Sequence, residues 1–372
     1  MTPPKVVVFG TSGYAEVHLR RARALHDRAE IVLAGVCDVR EPSAEAIGIL
    51  PSGTLVFTDA QQLLERATPD IAIVATPPHT HLMVALTALA AGCHVLVEKP
   101  PVLDLDAFAQ LAGCAERAGV SCQVGFQSFG SRALPTLRAA IGDGAIGALT
   151  GVGAAGAWIR RDAYYGRNAW AGRRQLNGVS VVDGSLTNPF AHAVATAILV
   201  TGQASTLPRA IEVELYHARQ IEADDTAAAR LLFDGGIEVV AAATLCADDE
   251  VEPYVVVHGT QGKARWWYRT NMLEINGRPV PLGLPIGLLR DLVTHVRDKT
   301  PLAAPLAHTR AFTAFVQAVR DHPGPKSIPP AWVGTADEGT ERRYVVDRIA
   351  ESVETAADEM LLYSELGVPW AS

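Results

Sequence analysis

Lys5-Val6-Val7-Val8-Phe9-Gly10-Thr11-Ser12-Gly13-Tyr14-Ala15 runs an apolar strand through a glycine turn into a helical pattern that lasts to His26. Strand, tight turn and helix in that order open a dinucleotide-binding βαβ unit. The turn is a relaxed G-x-G-x-x-G, with Ser12 and Ala15 at the second and third glycine positions. Gly10 makes the tight turn, a small residue at Ser12 lets a pyrophosphate approach the backbone, and Ala15 lets helix pack on strand. Thr11, Gly13 and Tyr14 complete a cradle at the helix N-terminus, where free N–H groups and the dipole favour an anion. Asp38 ends the next apolar run, Ile31–Cys37, in position to accept hydrogen bonds from an adenosine ribose. That favours NAD over NADP, because a carboxylate repels a 2′-phosphate. Arg40, two residues on, reads equally as a ligand for that phosphate or as a solvated loop cation.

Short apolar runs alternate with helical stretches from Lys5 to about Gly125. Strands are predicted at Lys5–Phe9, Ile31–Cys37, Ile71–Ala75, His94–Val97 and Ser121–Gly125. Helices are predicted at Tyr14–His26, His79–Ala91 and Leu105–Ala118. Nearly all-apolar strands require helices on both sheet faces, and this alternation builds a parallel, doubly wound Rossmann sheet. After Phe126 β-like runs follow one another: Leu149–Ile159, Arg209–His217, Ala227–Phe233, Ile237–Leu245, Tyr254–His258, Arg265–Tyr268 and Met272–Ile275. Period-two alternation, as at Ile211, Val213 and Leu215, indicates a large, open, mainly antiparallel sheet. Helical patterns at Pro189–Val200, Gly287–Asp298, His308–Asp321 and Arg343–Leu362 flank it, and Pro323–Pro330 reads as a surface loop. The expected fold class is α/β plus α+β. A dinucleotide-binding domain over 1–125 precedes a substrate-binding and oligomerisation domain over 126–372, whose C-terminal segment is free to pack back on the first.

A chain of 372 residues suits two domains, and 49% apolar content can fill two cores. Charged residues, at 19%, are too few for a disordered chain. A formal net charge of −8 argues against nucleic acid as a partner. No basic stretch, apolar run and cleavage site precede the first strand, and no apolar run approaches the roughly 18 residues of a membrane span. A cytoplasmic protein without membrane contact is expected. Cys37, Cys93, Cys114, Cys122 and Cys246 form no C-x-x-C pair and read as buried, reduced thiols. The histidines do not cluster with them at ligand spacing, so no metal site is expected.

Two stretches carry a more specific pattern: Ala75-Thr76-Pro77-Pro78-His79-Thr80-His81, then Ala90-Ala91-Gly92-Cys93-His94-Val95-Leu96-Val97-Glu98-Lys99-Pro100. A strand ending in T-P-x-x-x-H, followed by A-G-x-H-V-x-x-E-K-P, resembles the signature of the glucose–fructose oxidoreductase / inositol dehydrogenase / rhizopine catabolism (Gfo/Idh/MocA) family. The resemblance is close over the first half of the chain and looser beyond. It implies an NAD(P)-dependent oxidoreductase with Thr76, Pro77, His79, His81 and Glu98 around the cofactor. It places Lys99 beside the nicotinamide and the substrate hydroxyl, with the bond before Pro100 often cis. Gln127 falls where the family puts a ribose or substrate contact. A partly desolvated lysine beside a positively charged ring exchanges its proton more readily than one in water, so it can hold or accept a hydroxyl proton.

The family's second block reads roughly G-G-x-x-x-x-D-x-x-x-H-x-x-D, and Asn177 to His192 corresponds to it. Asp183 keeps its distance from Asn177-Gly178, but Thr187 stands at the histidine position and His192 follows five residues later. The helix after His192 matches the family's post-histidine helix in length. This assigns the histidine role to His192 across a longer loop, with Thr187 as the alternative occupant. Asp183 would orient Lys99 or the substrate hydroxyl. Asn188, before Pro189, reads as an N-cap or as an amide facing substrate.

Family members also carry aromatic and basic residues at the position of Trp158 to Arg173. Trp158, Tyr165 and Trp170 offer flat faces to the C–H face of a sugar ring, and Arg161 can donate to hydroxyl, carboxylate or phosphate. The expected activity is an NAD- or NADP-dependent dehydrogenase acting on a secondary hydroxyl of a sugar, cyclitol or glycoside. Lys99, Asp183 and His192 form its catalytic group, and a homo-oligomer, dimer or tetramer, is expected to cover the second face of the sheet. Two rival readings are an NAD-dependent glycosidase or lyase working by transient oxidation, and a non-catalytic NAD-binding regulatory protein. An ionisable Lys99 speaks against the last.

Overall fold

Val6, Val7 and Val8 have no exposed surface in β1 (Lys5–Phe9), an interior strand of a six-stranded parallel sheet. This computed structural model describes residues 2–339 and 341–371; Met1, Thr340 and Ser372 lie outside the described residues. The strands are separated by helices in a regular alternation: β1, α1 (Tyr14–His26), β2 (Val32–Cys37), α2 (Ala44–Ile49), β3 (Leu55–Phe57), α3 (Ala60–Ala67), β4 (Ile71–Val74), α4 (His81–Ala90), β5 (His94–Val97), α5 (Leu105–Ala118) and β6 (Cys122–Val124). Their order in the sheet is β3-β2-β1-β4-β5-β6. The chain reverses its direction of travel across the sheet between β1 and β4, so the carboxyl ends of those two strands flank a topological switch point. Helix α1 buries Ala15, His18, Leu19, Ala22 and Leu25, the three- and four-residue spacing of one helical face. Residues 44–67 hold two helices and a strand that periodicity did not reveal. All three are short, and the helices are fixed by their caps: Ser43 accepts from the Ala46 N–H at 3.1 Å, and Asp59 from the Gln62 N–H at 2.8 Å.

The second half builds on a nine-stranded mixed sheet. In chain order it contains α6 (Ala133–Gly142), β7 (Leu149–Ile159), α7 (Asp162–Gly166), β8 (Gln175–Leu176), β9 (Val179–Ser180) and α8 (Ala191–Val200). Then come β10 (Ala210–His217), β11 (Thr226–Leu232), β12 (Glu238–Thr244), β13 (Cys246–Gly259), β14 (Gly262–Trp267), β15 (Met272–Ile275) and β16 (Arg278–Val280). After α9 (Leu288–Asp298) the chain adds α10 (Arg310–Asp321), β17 (Lys326–Ser327), β18 (Val333–Glu338), β19 (Glu341–Val346) and α11 (Ile349–Glu359). The order is β16-β15-β14-β13-β7-β12-β11-β10-β17, antiparallel except where β12 meets β7 and β10 meets β17. The Pro-rich segment expected as a loop therefore supplies a two-residue edge strand. The helix expected from Arg343 starts only at Ile349, because Glu341–Val346 pairs with Val333–Glu338 as a hairpin.

Alternate residues of β7 point to opposite faces of this sheet. On one face Trp158 packs on Phe190, just before α8, with ring centroids 4.4 Å apart. On the other, Ala155 joins Tyr216, Ala228, Ala242, Tyr254 and Val256 in a core completed by Val353, Ala356, Tyr363 and Trp370. The face expected to wait for a neighbouring subunit is thus covered by the chain's own α11 and tail. Gly153 marks how close that cover lies: a Cβ there would stand 2.1 Å from the Ala357 carbonyl oxygen. Among the described residues no helix is long and apolar enough to cross a membrane, and no group of three or more His, Cys, Asp or Glu could hold a metal.

The chain falls into two compact units. One runs as far as Gly130 and regains Ile286–Ala307; the other takes Ser131–Pro285 and the chain from His308. The regained segment is tied into the first unit. The Ile286 N–H donates to Gly130 O and the Val124 N–H to Ala304 O, each at 2.8 Å. Gln123 Nε2 donates to Leu288 O at 2.7 Å, and Arg290 grips Glu30 through two nitrogens. Leu292 on α9 is fully buried. Leu292→Ala should therefore cost about 2–5 kcal/mol of stability, the usual range for a buried leucine, read by urea denaturation. A loss under about 1 kcal/mol would show that α9 is not part of that core.

Candidate active site

The turn between β1 and α1 is held from behind. Gly10 adopts φ +99°, and a Cβ there would sit 2.7 Å from the Ala75 carbonyl oxygen, so no other residue fits without displacing β4's end. Its N–H donates to Cys37 O at 2.8 Å. The Asp38 Oδ2 accepts from the Thr11 N–H at 2.8 Å and from Thr11 Oγ1 at 2.9 Å, while Oδ1 accepts from the Arg40 N–H at 3.2 Å. Asp38 is therefore first a brace for the turn, and Arg40 contributes its backbone there while its side chain is exposed. Ser12, Gly13 and Tyr14 are exposed, and the N-cap residue Gly13 gives α1 no side-chain cap. An uncapped helix N-terminus behind a small-residue turn, at a sheet switch point, fits a dinucleotide pyrophosphate.

Glu98 follows β5 directly and is buried, at 7% exposure. Its Oε1 meets His18 Nε2 at 2.8 Å and accepts from Gln127 Nε2 at 3.2 Å, and Oε2 accepts from the Lys99 N–H at 3.2 Å. One carboxylate thus joins α1, the end of β5 and the segment after β6. Lys99 follows, half-buried, and its bond to Pro100 is cis. His81, expected among the cofactor contacts, is 1% exposed. Its Nε2 faces Thr76 O at 2.7 Å and its Nδ1 faces Pro100 O at 2.8 Å. It bears on the site through those backbones, and burial keeps its pKa below the ordinary imidazole value against the pull of the two carbonyls. Thr76 Oγ1 accepts from Thr80 Oγ1 at 2.7 Å, which fixes the turn holding Pro77 and the half-buried His79.

In the second unit Asp183 organises the loop before α8. Its side chain is 1% exposed. Oδ2 accepts from the Gly172 N–H at 2.8 Å and pairs with Arg167 at 3.3 Å; Oδ1 accepts from Asn188 Nδ2 at 2.5 Å. Asn188 is not the N-cap of α8, because the helix starts at Ala191 with Phe190 as its cap. The Asn188 amide instead secures Asp183. Thr187 is 1% exposed; its hydroxyl donates to Val182 O at 2.6 Å and accepts from the Gly184 N–H at 3.0 Å. Those bonds make it a turn lock. His192 lies in the first turn of α8, partly buried, with its ring stacked 6.3 Å from Tyr268.

The aromatic and basic stretch after β7 is interleaved. Arg160 lies over Trp158 (4.5 Å) and Tyr164 (5.0 Å), and Arg167 over Tyr164 (3.6 Å) and Trp170 (5.1 Å). Arg161 is exposed, and its backbone bridges to Arg343. Tyr165 packs under Arg219, which also lies over Tyr344 of β19.

Sequence reasoning passed over two buried groups here. His18 on the inner stripe of α1 was visible as a polar residue at an apolar position. Asp224 was not singled out. It accepts from the Ser185 N–H at 2.8 Å and Ser185 Oγ at 2.7 Å, pinning the loop at a second point. Burial pushes its pKa up to about 6, against the Ser185 hydrogen bonds that lower it.

Two family models match the chain. The first, described as "Oxidoreductase family, NAD-binding Rossmann fold", matches residues 4–126, and the GFO/IDH/MocA C-terminal domain matches residues 135–265. D-glucoside 3-dehydrogenase of Escherichia coli is 32% identical over 119 residues, 32% of this chain and 33% of that protein. Inositol 2-dehydrogenase of Klebsiella pneumoniae is 29% identical over 146 residues, 39% of this chain and 43% of that protein. The chain spans less than half the length of these relatives. The WlbA dehydrogenase from Bordetella pertussis, solved in complex with NADH and UDP-GlcNAcA, shares the fold at a TM-score of 0.68 and 20% identity, over 86% of this chain and 97% of that one. With both domain models matched over more than half of its length, the chain belongs to the GFO/IDH/MocA family of oxidoreductases.

Proposed function

We propose that the chain is an NAD(P)-dependent dehydrogenase that interconverts a secondary hydroxyl and a ketone on a sugar, cyclitol or glycoside. Lys99 carries this reading. Its backbone is clamped between buried Glu98 and Pro100 at the carboxyl end of β5, one strand from the switch point. A lysine presented from that strand end suits the holding of a substrate hydroxyl and the handling of its proton. The bound nicotinamide supplies the hydride acceptor. His192, in the first turn of α8, is the second group for the proton. Asp183 sets the loop that carries Asn188 and His192. Trp158, Tyr165 and Trp170 supply faces for a sugar ring, with Arg161 and Gln127 as polar contacts. Relatives named as glucoside, inositol and glucose-6-phosphate dehydrogenases support the substrate class. The Asp38 carboxylate favours NAD, and five free cysteines suit a reducing, cytoplasmic setting.

A screen of sugars, cyclitols and glycosides with NAD and with NADP, read by absorbance of the reduced cofactor, should give turnover that is faster with NAD. Tight cofactor binding without turnover of any of them would overturn the dehydrogenase reading. In the active protein, Lys99→Ala should abolish turnover while cofactor binding survives. Retention of more than about a tenth of kcat, a barrier change of only about 1.4 kcal/mol, would remove Lys99 from its role. His192→Ala should lower kcat about 10²-fold or more, as loss of a general base does. Thr187→Ala should chiefly lower the melting temperature; a greater kcat loss at Thr187 than at His192 would reverse the assignment.

A further inference from the structure

We propose that the segment from Ile349 to Ala371 takes, in cis, the place of a second subunit on the nine-stranded sheet, and that the full chain is consequently a 39.5 kDa monomer. The sheet is built to receive this segment. Gly153, Ala155, Ala228 and Ala242 lie on adjacent strands and make a floor of small residues, on which Val353 and Ala356 of α11 rest. The helix comes so close that the Ala357 carbonyl would collide with any side chain at Gly153.

The polar residues of that face are matched to the cover one by one. Arg265 donates to both oxygens of Asp358 at 2.7 Å, and His258 Nε2 meets the Ala357 carbonyl at 3.1 Å. Arg230, at 14% side-chain exposure, pairs with Glu365 through both terminal nitrogens and donates to Met360 O at 3.2 Å. Glu214 accepts from the Ser364 N–H and hydroxyl. At the far end Trp370 fills the space between Tyr216 (5.0 Å) and Tyr363 (5.3 Å), and Tyr216 donates its hydroxyl hydrogen to Ala371 O at 3.1 Å. A charge-matched, closely packed cover of this kind is what a permanent interface provides.

Little of this sheet is left for another copy to grip. A stable interface takes about 800 Å² from each partner, with an apolar centre. Among the described residues of the nine strands, Met272 is the one large apolar side chain that is exposed, and it lies on β15 near the edge.

Sedimentation equilibrium of the full chain over the micromolar range tests this. A single species of 39.5 kDa is expected; a dimer or tetramer at those concentrations would overturn the proposal. Gly153→Leu, introduced into the full chain, supplies the second arm. It should prise α11 off the sheet, raising amide exchange of 349–371 by about tenfold or more while the amides of α8, on the other face, stay protected. The uncovered face should then drive association, seen as a concentration-dependent rise in mass. Unchanged exchange in 349–371, or faster exchange with the mass still monomeric, would show that this segment is not what keeps copies apart.

Discussion

A carboxylate taken out of water is costly unless each oxygen finds a donor. Glu98 meets that requirement with His18, Gln127 and the Lys99 backbone. Because those three donors come from α1, from the segment after β6 and from the strand's own end, satisfying one buried charge fixes where three parts of the first unit meet. The position of Lys99 follows from it: the residue after Glu98 has its N–H committed to the same carboxylate. Removing a partner from a buried charge of this kind typically costs about 3–5 kcal/mol. The site is therefore coupled to the stability of the unit that presents it.

The second unit repeats the device with different residues. Asp183 and Asp224 are both buried, and each accepts hydrogen bonds from the loop between β9 and α8: Asp183 from the Asn188 amide, Asp224 from the N–H and hydroxyl of Ser185. Two acidic side chains thereby shape a turn with little regular hydrogen bonding of its own. Thr187 and Asn188 turn inward and close this network. The aromatic residues after β7 are ordered in the same spirit by guanidinium groups stacked on their faces, with Arg167 linking that array to Asp183.

Much of this was legible in the residues. Strands whose side chains are buried on both faces announce themselves as unbroken apolar runs, so β1, β4 and β5 and the turn at Gly10 were readable without coordinates. The Glu98-Lys99-Pro100 pattern likewise marked where β5 stops. Less legible were elements held by caps rather than by a wide apolar stripe, such as α2, β3 and α3. The β18–β19 hairpin was read as helix because Tyr344 and Val346 suit either period over so short a span. The covering of the large sheet was hidden for another reason. Its floor is glycine and alanine, which carry almost no periodic signal, and its partners lie more than a hundred residues away. The inward turn of Asp183 was equally invisible, since a motif names a residue and not the donors it meets.

The first unit regains Ile286–Ala307 only after the chain has laid down all but one edge strand of the larger sheet. During synthesis the Rossmann core thus stands with Leu292's place empty while more than a hundred and fifty intervening residues emerge. Folding from the N-terminus cannot finish one unit before starting the next. The two must mature together, and a gene fragment ending at the first unit's last strand would encode a sheet with an uncovered flank.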